Sequence, residues 1–195
     1  VSRELRVADV TFNSGKIIEA LEQAARQGCQ VAVFPELAIT GYTCADLFYQ
    51  SLLLEQAQAA LAKIAEATGR YDIAAVVGLP LVVEGRLFNC AAFIAENRLL
   101  GIVPKACLPT TNEYYEERWF TPACHRTTDT IAINGAPIPF GPDLLFSAKQ
   151  FPGCVFGIEI CEDLWAVNPP SGNLALAGAT VLLNPSASVE LLSKI

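Results

Sequence analysis

Short apolar runs alternate with longer amphipathic segments along most of the chain. The segment 14–27 repeats apolar residues at helical spacing, which predicts a helix capped by Asn13 or Ser14 and stopped by Gly28. The run 30–35 that follows is almost wholly apolar, and such runs are typical of strands buried on both faces. The chain is therefore predicted to open with a helix that leads into a buried strand.

A long helix between two further strands is predicted next. Residues 47–68 are rich in Ala, Leu, Gln and Glu, which favours a helix with Asp46 as its cap. The apolar segments 73–78 and 89–95 are predicted strands, joined through a turn at 84–86. Strand, long helix and strand form a βαβ succession, so we predict an α/β fold with a largely apolar sheet.

The second half of the chain contains a long segment without a regular pattern. Residues 107–146 carry five prolines, paired tyrosines and many charged residues. A loop of this length in a compact domain is usually functional, and the alternative is a solvated insertion. Beyond it we predict a strand over 155–160, a short helix near 173–177 and a strand over 180–183.

Composition narrows the class of protein. A chain of 195 residues that is 52% hydrophobic and 17% charged fits one compact domain, and its longest apolar stretch is too short to cross a membrane. The net charge of −7 argues against a nucleic-acid partner. Seven cysteines without a Cys-x-x-Cys pair, and a single histidine, argue against a metal site or a disulfide framework. We therefore expect a cytoplasmic protein.

Three strand ends carry reactive side chains. Glu36 follows the run 31–35, Lys105 follows 99–104, and Cys161 follows 155–160. Each has a plain structural explanation, because a buried Cys is often inert, a Glu can cap a helix and a Lys can be solvated. Ligands of α/β proteins gather beyond strand ends, so the coincidence of all three favours a functional site.

These residues lie in motifs that resemble the nitrilase, or carbon–nitrogen hydrolase, superfamily. More narrowly, the chain is similar to the glutaminase domains of glutamine-dependent NAD synthetases over about residues 5–188. The superfamily motifs are 33–42, 104–105 and 159–163, and the narrower ones are 41–48, 108–110, 114–118, 169–171 and 177–180.

The resemblance implies a four-layer αββα sandwich. It also implies that residues 1–195 are part of one glutaminase domain, which we expect to be incomplete at both ends. A downstream synthetase domain would use ATP and Mg, whereas no cofactor or metal is expected in the glutaminase domain. Glutamine is the expected substrate, and a homo-oligomer is the expected assembly.

The resemblance assigns three catalytic roles. Cys161 is the expected nucleophile, Glu36 the residue that moves its proton, and Lys105 the charge that stabilises thiolate and oxyanion. The backbone N–H of Glu162 is the expected second oxyanion donor. A Cys–His pair with the lone His125 is the alternative, although His125 lies in a polar segment.

Further roles rest on the same resemblance. Glu113 is expected to assist the three catalytic residues, while Tyr42, Glu162 and Ser188 are expected to line the glutamine pocket. Thr111 departs from the family, in which Tyr is frequent at this position. The other six cysteines are predicted to be structural.

Two other hypotheses stay open at this point. The chain could be a stand-alone amidase or carbamoylase, which the absence of a downstream ATP-binding domain would favour. It could also be an inactive fragment that serves in folding or interaction, which a test of thiol reactivity would address.

Overall fold

The computed structural model describes residues 1–188. Within them three α-helices are formed, namely α1 (Val10–Arg26), α2 (Ser51–Tyr71) and α3 (Pro170–Leu176). None of these helices is both long and apolar enough to span a bilayer.

The first sheet is built mainly from a β-meander. Its strands are β1 (Val31–Val33), β2 (Ala74–Val83), β3 (Arg86–Ala95) and β4 (Arg98–Pro104), in that spatial order. The pairing of β1 with β2 is parallel, and α2 is the crossover between them, as the βαβ prediction requires. The pairs β2–β3 and β3–β4 are antiparallel, and the predicted turn at 84–86 joins β2 to β3.

The predicted loop 107–146 is partly ordered into regular structure. It contains the antiparallel hairpin of β5 (Thr130–Ile133) and β6 (Ala136–Pro139). The second sheet follows, with β7 (Leu145–Ser147) antiparallel to β8 (Val155–Ile158), and β8 parallel to β9 (Val181–Leu183). The strands predicted over 155–160 and 180–183 therefore form side by side.

The two sheets pack face to face between the helices. Phe93 of β3 stacks on Phe146 of β7, with ring centroids 4.5 Å apart, in an apolar cluster that joins the sheets. On the other face of the first sheet, alternate residues join α1 and α2 in the main core. On the far face of the second sheet, a Cβ on Gly157 would lie 3.1 Å from Leu174 of α3. The layer order is thus α, β, β, α, which confirms the predicted sandwich.

Two predicted helix starts are wrong. Helix α1 begins at Val10, because Asp9 caps it by accepting a hydrogen bond from the Phe12 N–H at 3.0 Å. Asn13 does not cap; its amide donates to the carbonyl oxygens of Arg6 and Ile39.

Helix α2 begins four residues later than predicted, since residues Ala45–Tyr49 form a separate 3₁₀ helix. Asp46 does not cap α2. Its carboxylate accepts two bonds from the Arg118 guanidinium, both at 2.8 Å, and one from the Trp119 indole at 2.9 Å. This contact fastens the 107–146 segment to the start of α2.

Gly78 allows the chain that follows β1 to cross directly over β2. The Phe34 N–H donates to the Val76 carbonyl at 2.9 Å, and the Ile39 N–H donates to the Gly78 carbonyl at 3.1 Å. A Cβ on Gly78 would lie 2.2 Å from the Leu37 nitrogen, which is far inside contact distance. The absence of a side chain at Gly78 therefore fixes the position of the intervening Glu36.

We predict that Gly78→Ala lowers the free energy of unfolding by about 1–3 kcal/mol, the usual range for overpacking a core. Gly15→Ala is the matched control, since a Cβ at Gly15 in α1 meets no atom within 4 Å and Ala favours a helix. Urea denaturation of the full-length protein measures both. Equal stability of Gly78→Ala and wild type would contradict the packing described.

Candidate active site

Two of the three predicted strand-end residues are joined in a buried ion pair. Lys105 directly follows β4, and its Nζ lies 2.6 Å from Oε1 of Glu36, in the segment that crosses β2. Both side chains are 0% exposed. Glu36 therefore does not cap a helix, and Lys105 is not solvated.

A second carboxylate completes this pair, and it is Glu116 rather than the predicted Glu113. Lys105 Nζ donates to Glu116 Oε1 at 2.6 Å, and the Glu116 side chain is 2% exposed. Glu113 is exposed in the irregular part of the segment, three residues earlier. A 3₁₀ helix over Glu116–Arg118 turns Glu116 inward. We call Lys105, Glu36 and Glu116 the ion cluster.

Two neutral side chains donate hydrogen bonds to the ion cluster. The Asn89 amide on β3 donates to Glu36 Oε1 at 2.7 Å and to Glu116 Oε2 at 3.3 Å. The Tyr42 hydroxyl donates to Glu116 Oε1 at 2.7 Å. The hydroxyl of Tyr42 is thus engaged with a carboxylate. If Tyr42 lines a substrate pocket as predicted, it does so through its ring.

The charges of the ion cluster depend on one another. Burial alone would lower the pKa of Lys105, but Glu36 and Glu116 outweigh it and raise that pKa, so the amine stays an ammonium. Burial and the charge of Glu36 raise the pKa of Glu116, against the opposing effect of Lys105. Burial and the neighbouring Glu116 also raise the pKa of Tyr42 well above its usual range.

Cys161 begins a 3₁₀ helix, Cys161–Trp165, immediately beyond the second sheet. Its φ of 48° is a left-handed conformation that non-glycine residues seldom adopt. The nucleophile turns of α/β-hydrolases are sharp and strained in a similar way. Asn184 clamps this backbone from both sides: its Oδ1 accepts from the Cys161 N–H at 3.0 Å, and its amide donates to the Cys161 carbonyl at 3.3 Å. The conformation is therefore held by a side chain that follows β9.

Asp163 fastens the turn of Cys161 to the strand end of Lys105. One carboxylate oxygen accepts from the backbone N–H groups of Ala106 and Cys107, at 3.0 and 2.6 Å. The other accepts from the Ile160 N–H at 2.9 Å. Asp163 is 1% exposed, so these bonds are shielded from water. The two sheets are thereby locked together at the site.

The thiol of Cys161 faces Glu36 and is only partly buried. Burial raises its pKa most strongly, and the nearby carboxylate of Glu36 raises it further. Ser186, whose Oγ lies 3.2 Å from the sulfur, and the Lys105 ammonium act in the opposite direction. The resting side chain is thus a thiol beside a carboxylate that can take its proton.

The remaining predicted site residues lie at various distances from this centre. Glu162 is half-buried next to Cys161, and Ser188 is exposed two residues beyond Ser186. His125 is exposed at the end of a 3₁₀ helix, where its carbonyl accepts a bond from Arg86. Within residues 1–188 no group of three or more His, Cys, Asp or Glu side chains is arranged to hold a metal ion.

Sequence reasoning missed four residues of the site. Asn89 carried a signal, since it is an amide inside an apolar strand, and such a group must find a buried partner. Asn184 and Ser186 follow the apolar run of β9, so they repeat the strand-end pattern of the predicted residues. Glu116 stands among other carboxylates in an irregular segment, and no periodicity distinguishes it.

Comparisons with known proteins agree on a family. The family model described as carbon-nitrogen hydrolase matches residues 3–193. A glutamine-dependent NAD(+) synthetase of Mycobacterium leprae is 41% identical over 182 residues, covering 93% of this chain and 27% of that protein. The human protein of the same name is 31% identical over 195 residues, covering 95% of this chain and 27% of the human protein. The chain thus spans about a quarter of the length of these relatives.

Solved structures share the fold. A glutamine-dependent NAD(+) synthetase from Cytophaga hutchinsonii superposes with a TM-score of 0.82 at 32% identity, covering 98% of this chain and 30% of that one. An amidase from Nesterenkonia sp. superposes with a TM-score of 0.75 at 22% identity, covering 97% of this chain and 64% of the amidase. The second likeness concerns the fold alone.

We predict that Glu36→Gln makes the Cys161 thiol more reactive towards iodoacetamide near neutral pH. Removing the carboxylate charge removes an effect that raises the pKa of this thiol, so the thiolate fraction at a given pH increases. The pH dependence of alkylation, followed by mass spectrometry of the peptide that contains Cys161, measures it. A midpoint that moves to higher pH would show that Glu36 does not face the sulfur.

Proposed function

Because the chain belongs to the carbon–nitrogen hydrolase family, we propose that it hydrolyses the side-chain amide of glutamine through Cys161, Glu36 and Lys105. The observation that carries the proposal is a thiol on a left-handed turn, connected through Ser186 and Ala187 to a carboxylate that is paired with a buried ammonium. We further propose that the ammonia released serves the ATP-dependent synthesis of NAD. The names of the similar proteins support both glutamine and this product.

Acylation would begin with a proton transfer. Glu36 takes the proton of the Cys161 thiol, and the sulfur attacks the amide carbon of glutamine to form a carbon–sulfur bond. The carbonyl electron pair moves to the oxygen, where the Lys105 ammonium and the Glu162 N–H stabilise the negative charge. Glu36 then gives its proton to the nitrogen, the carbon–nitrogen bond breaks, and ammonia departs. A γ-glutamyl thioester remains on Cys161.

Deacylation would use the same groups in the reverse direction. Glu36 takes a proton from water, and the resulting hydroxide attacks the thioester carbon. Lys105 again stabilises the oxyanion, the carbon–sulfur bond breaks, and Glu36 returns its proton to the thiolate as glutamate departs. The ion cluster suits both steps, because Glu116 holds Lys105 in place while Glu36 changes its protonation state.

Substrate selection is proposed for residues around the thiol. Glu162 directly follows the nucleophile, and its carboxylate is suited to the ammonium group of an amino-acid substrate. Tyr42 presents a half-buried ring beside the ion cluster, in edge-to-face contact with Tyr114 at 6.2 Å. Ser188 is proposed as a further substrate contact through its hydroxyl.

The other proposals concern the domain that follows in the polypeptide, the assembly of the protein and its location in the cell. A synthetase domain that binds ATP and Mg is proposed to follow in the same polypeptide, as the length of the similar proteins suggests. A homo-oligomer and a cytoplasmic location are proposed as well. The reading frame beyond residue 195 tests the first of these, and it also separates a synthetase from a stand-alone amidase.

We predict that Glu36→Gln lowers glutamine-dependent NAD synthesis by the full-length protein about 10²–10⁴-fold, as expected for loss of a general base. Lys105→Ala should lower it by at least 10²-fold through loss of oxyanion stabilisation. Synthesis with free ammonium should persist in both variants, because ammonium bypasses the thiol. Comparing the two nitrogen sources in one assay measures this.

A pair of matched variants tests whether Glu116, rather than Glu113, assists the three catalytic residues. Glu116→Gln should reduce glutamine-dependent activity, since it removes a partner of Lys105, whereas Glu113→Gln at an exposed position should not. Loss of ammonium-dependent activity together with glutamine-dependent activity would mean that these residues maintain the fold rather than perform the chemistry.

A further inference from the structure

The four residues after β9 contact both the nucleophile and its base. Asn184 holds the backbone of Cys161 on both sides, and the Pro185 carbonyl accepts a further bond from the Cys161 N–H at 3.1 Å. At the other end, the Ala187 N–H donates to Glu36 Oε2 at 3.2 Å. We call residues 184–187 the closing segment, since it joins the second sheet to the ion cluster.

Ser186 lies at the centre of the closing segment and contacts the reacting atom itself. Its Oγ donates a hydrogen bond to Cys161 Sγ at 3.2 Å. Ser186 is exposed, but its backbone lies between two neighbours that are hydrogen-bonded within the site, and this placement brings the hydroxyl against the sulfur. A hydroxyl at this distance is suited to a sulfur that gains negative charge, because hydrogen bonds to charged acceptors are stronger than those to neutral ones.

We propose that Ser186 is a further catalytic residue, a hydrogen-bond donor that stabilises the Cys161 thiolate each time it forms. This proposal rests on the proposed glutamine hydrolysis for its role in turnover, but its contact with the sulfur exists independently of any substrate. Lys105 already favours the thiolate, although that ammonium is engaged by Glu36 and Glu116. The hydroxyl of Ser186, in contrast, donates to no carboxylate in the contacts described.

The hydroxyl would act at two points of the cycle. When Glu36 takes the thiol proton, the electron pair left on sulfur accepts the Ser186 hydrogen bond. That bond weakens as the sulfur forms its bond to the substrate carbon. When the thioester breaks, the electron pair of the carbon–sulfur bond returns to the sulfur, and Ser186 stabilises the leaving thiolate until it is protonated. Ser186 keeps its own proton throughout.

The experiment uses the full-length protein and three variants. Ser186→Ala removes the hydroxyl, Ser186→Thr keeps it, and Ser147→Ala removes a hydroxyl at an exposed position on β7. The first readout is the pH dependence of iodoacetamide alkylation at Cys161, followed by mass spectrometry without substrate. The second is glutamine-dependent and ammonium-dependent NAD synthesis.

For Ser186→Ala we expect the alkylation profile to move to higher pH, with alkylation near neutral pH roughly tenfold slower, the size of one hydrogen bond to a charged group. Glutamine-dependent synthesis should fall by a similar factor through kcat more than through KM, and ammonium-dependent synthesis should stay unchanged. Ser186→Thr should resemble the wild type in both readouts, and so should Ser147→Ala.

The outcomes separate this proposal from the proposed function. An unchanged alkylation profile in Ser186→Ala overturns the role of Ser186, because water then serves the thiolate equally well. A Ser186→Thr variant as impaired as Ser186→Ala also overturns it, since a general disturbance of the turn would then be the cause. If the wild type made no NAD with glutamine as the nitrogen source while the alkylation profile of Ser186→Ala was shifted, the proposed function would be contradicted but the contact supported.

Discussion

The structure around the site depends on the burial of one ammonium group. Transferring a charged lysine from water to a protein interior costs several kcal/mol unless partners compensate for the lost hydration. Lys105 is 0% exposed, and two carboxylates contact its Nζ at 2.6 Å each. Two negative charges around one positive charge in turn require further donors, which Asn89 and Tyr42 supply.

This constraint explains why distant parts of the chain must meet. The segment that carries Glu36 crosses β2 over a residue without a side chain, and the segment that carries Glu116 is fastened to the start of α2 through Asp46 and Arg118. If either segment moved away, Lys105 would lose one of its two carboxylate partners. The ion cluster therefore favours the observed positions of both segments as well as the proposed chemistry.

Cys161, on the side of the second sheet, is joined to the ion cluster by two sets of hydrogen bonds. Asp163 joins the turn of Cys161 to the backbone after Lys105, and the closing segment joins the same turn to Glu36. The thiol thus lies where the two sheets meet, with Glu36 and Lys105 supplied by the side of the opposite sheet. Small shifts between the sheets would separate the sulfur from Glu36.

Much of this arrangement could be predicted from the sequence, because it follows from strand ends. The apolar runs before Glu36, Lys105 and Cys161 indicated buried strands, and residues directly beyond such strands have few positions open to them. Glu116 could not be predicted in the same way, since its inward orientation comes from a short 3₁₀ helix inside a long irregular segment.

The helix starts were mispredicted for a related reason. Asp46 and Asn13 have the chemistry of caps, but each finds a tertiary partner that no local pattern reveals.

Capture of the acyl-enzyme tests most directly whether Cys161 reacts with glutamine and whether Lys105 assists it. The full-length protein is mixed with glutamine, quenched in acid within the first turnovers and digested, and the peptide that contains Cys161 is examined by mass spectrometry. We predict a γ-glutamyl thioester on Cys161 in the wild type and its near absence in Lys105→Met, which keeps the length of the side chain without its charge. A thioester that forms equally fast without the Lys105 charge, or that appears on another cysteine, would contradict the central role given to the ion cluster.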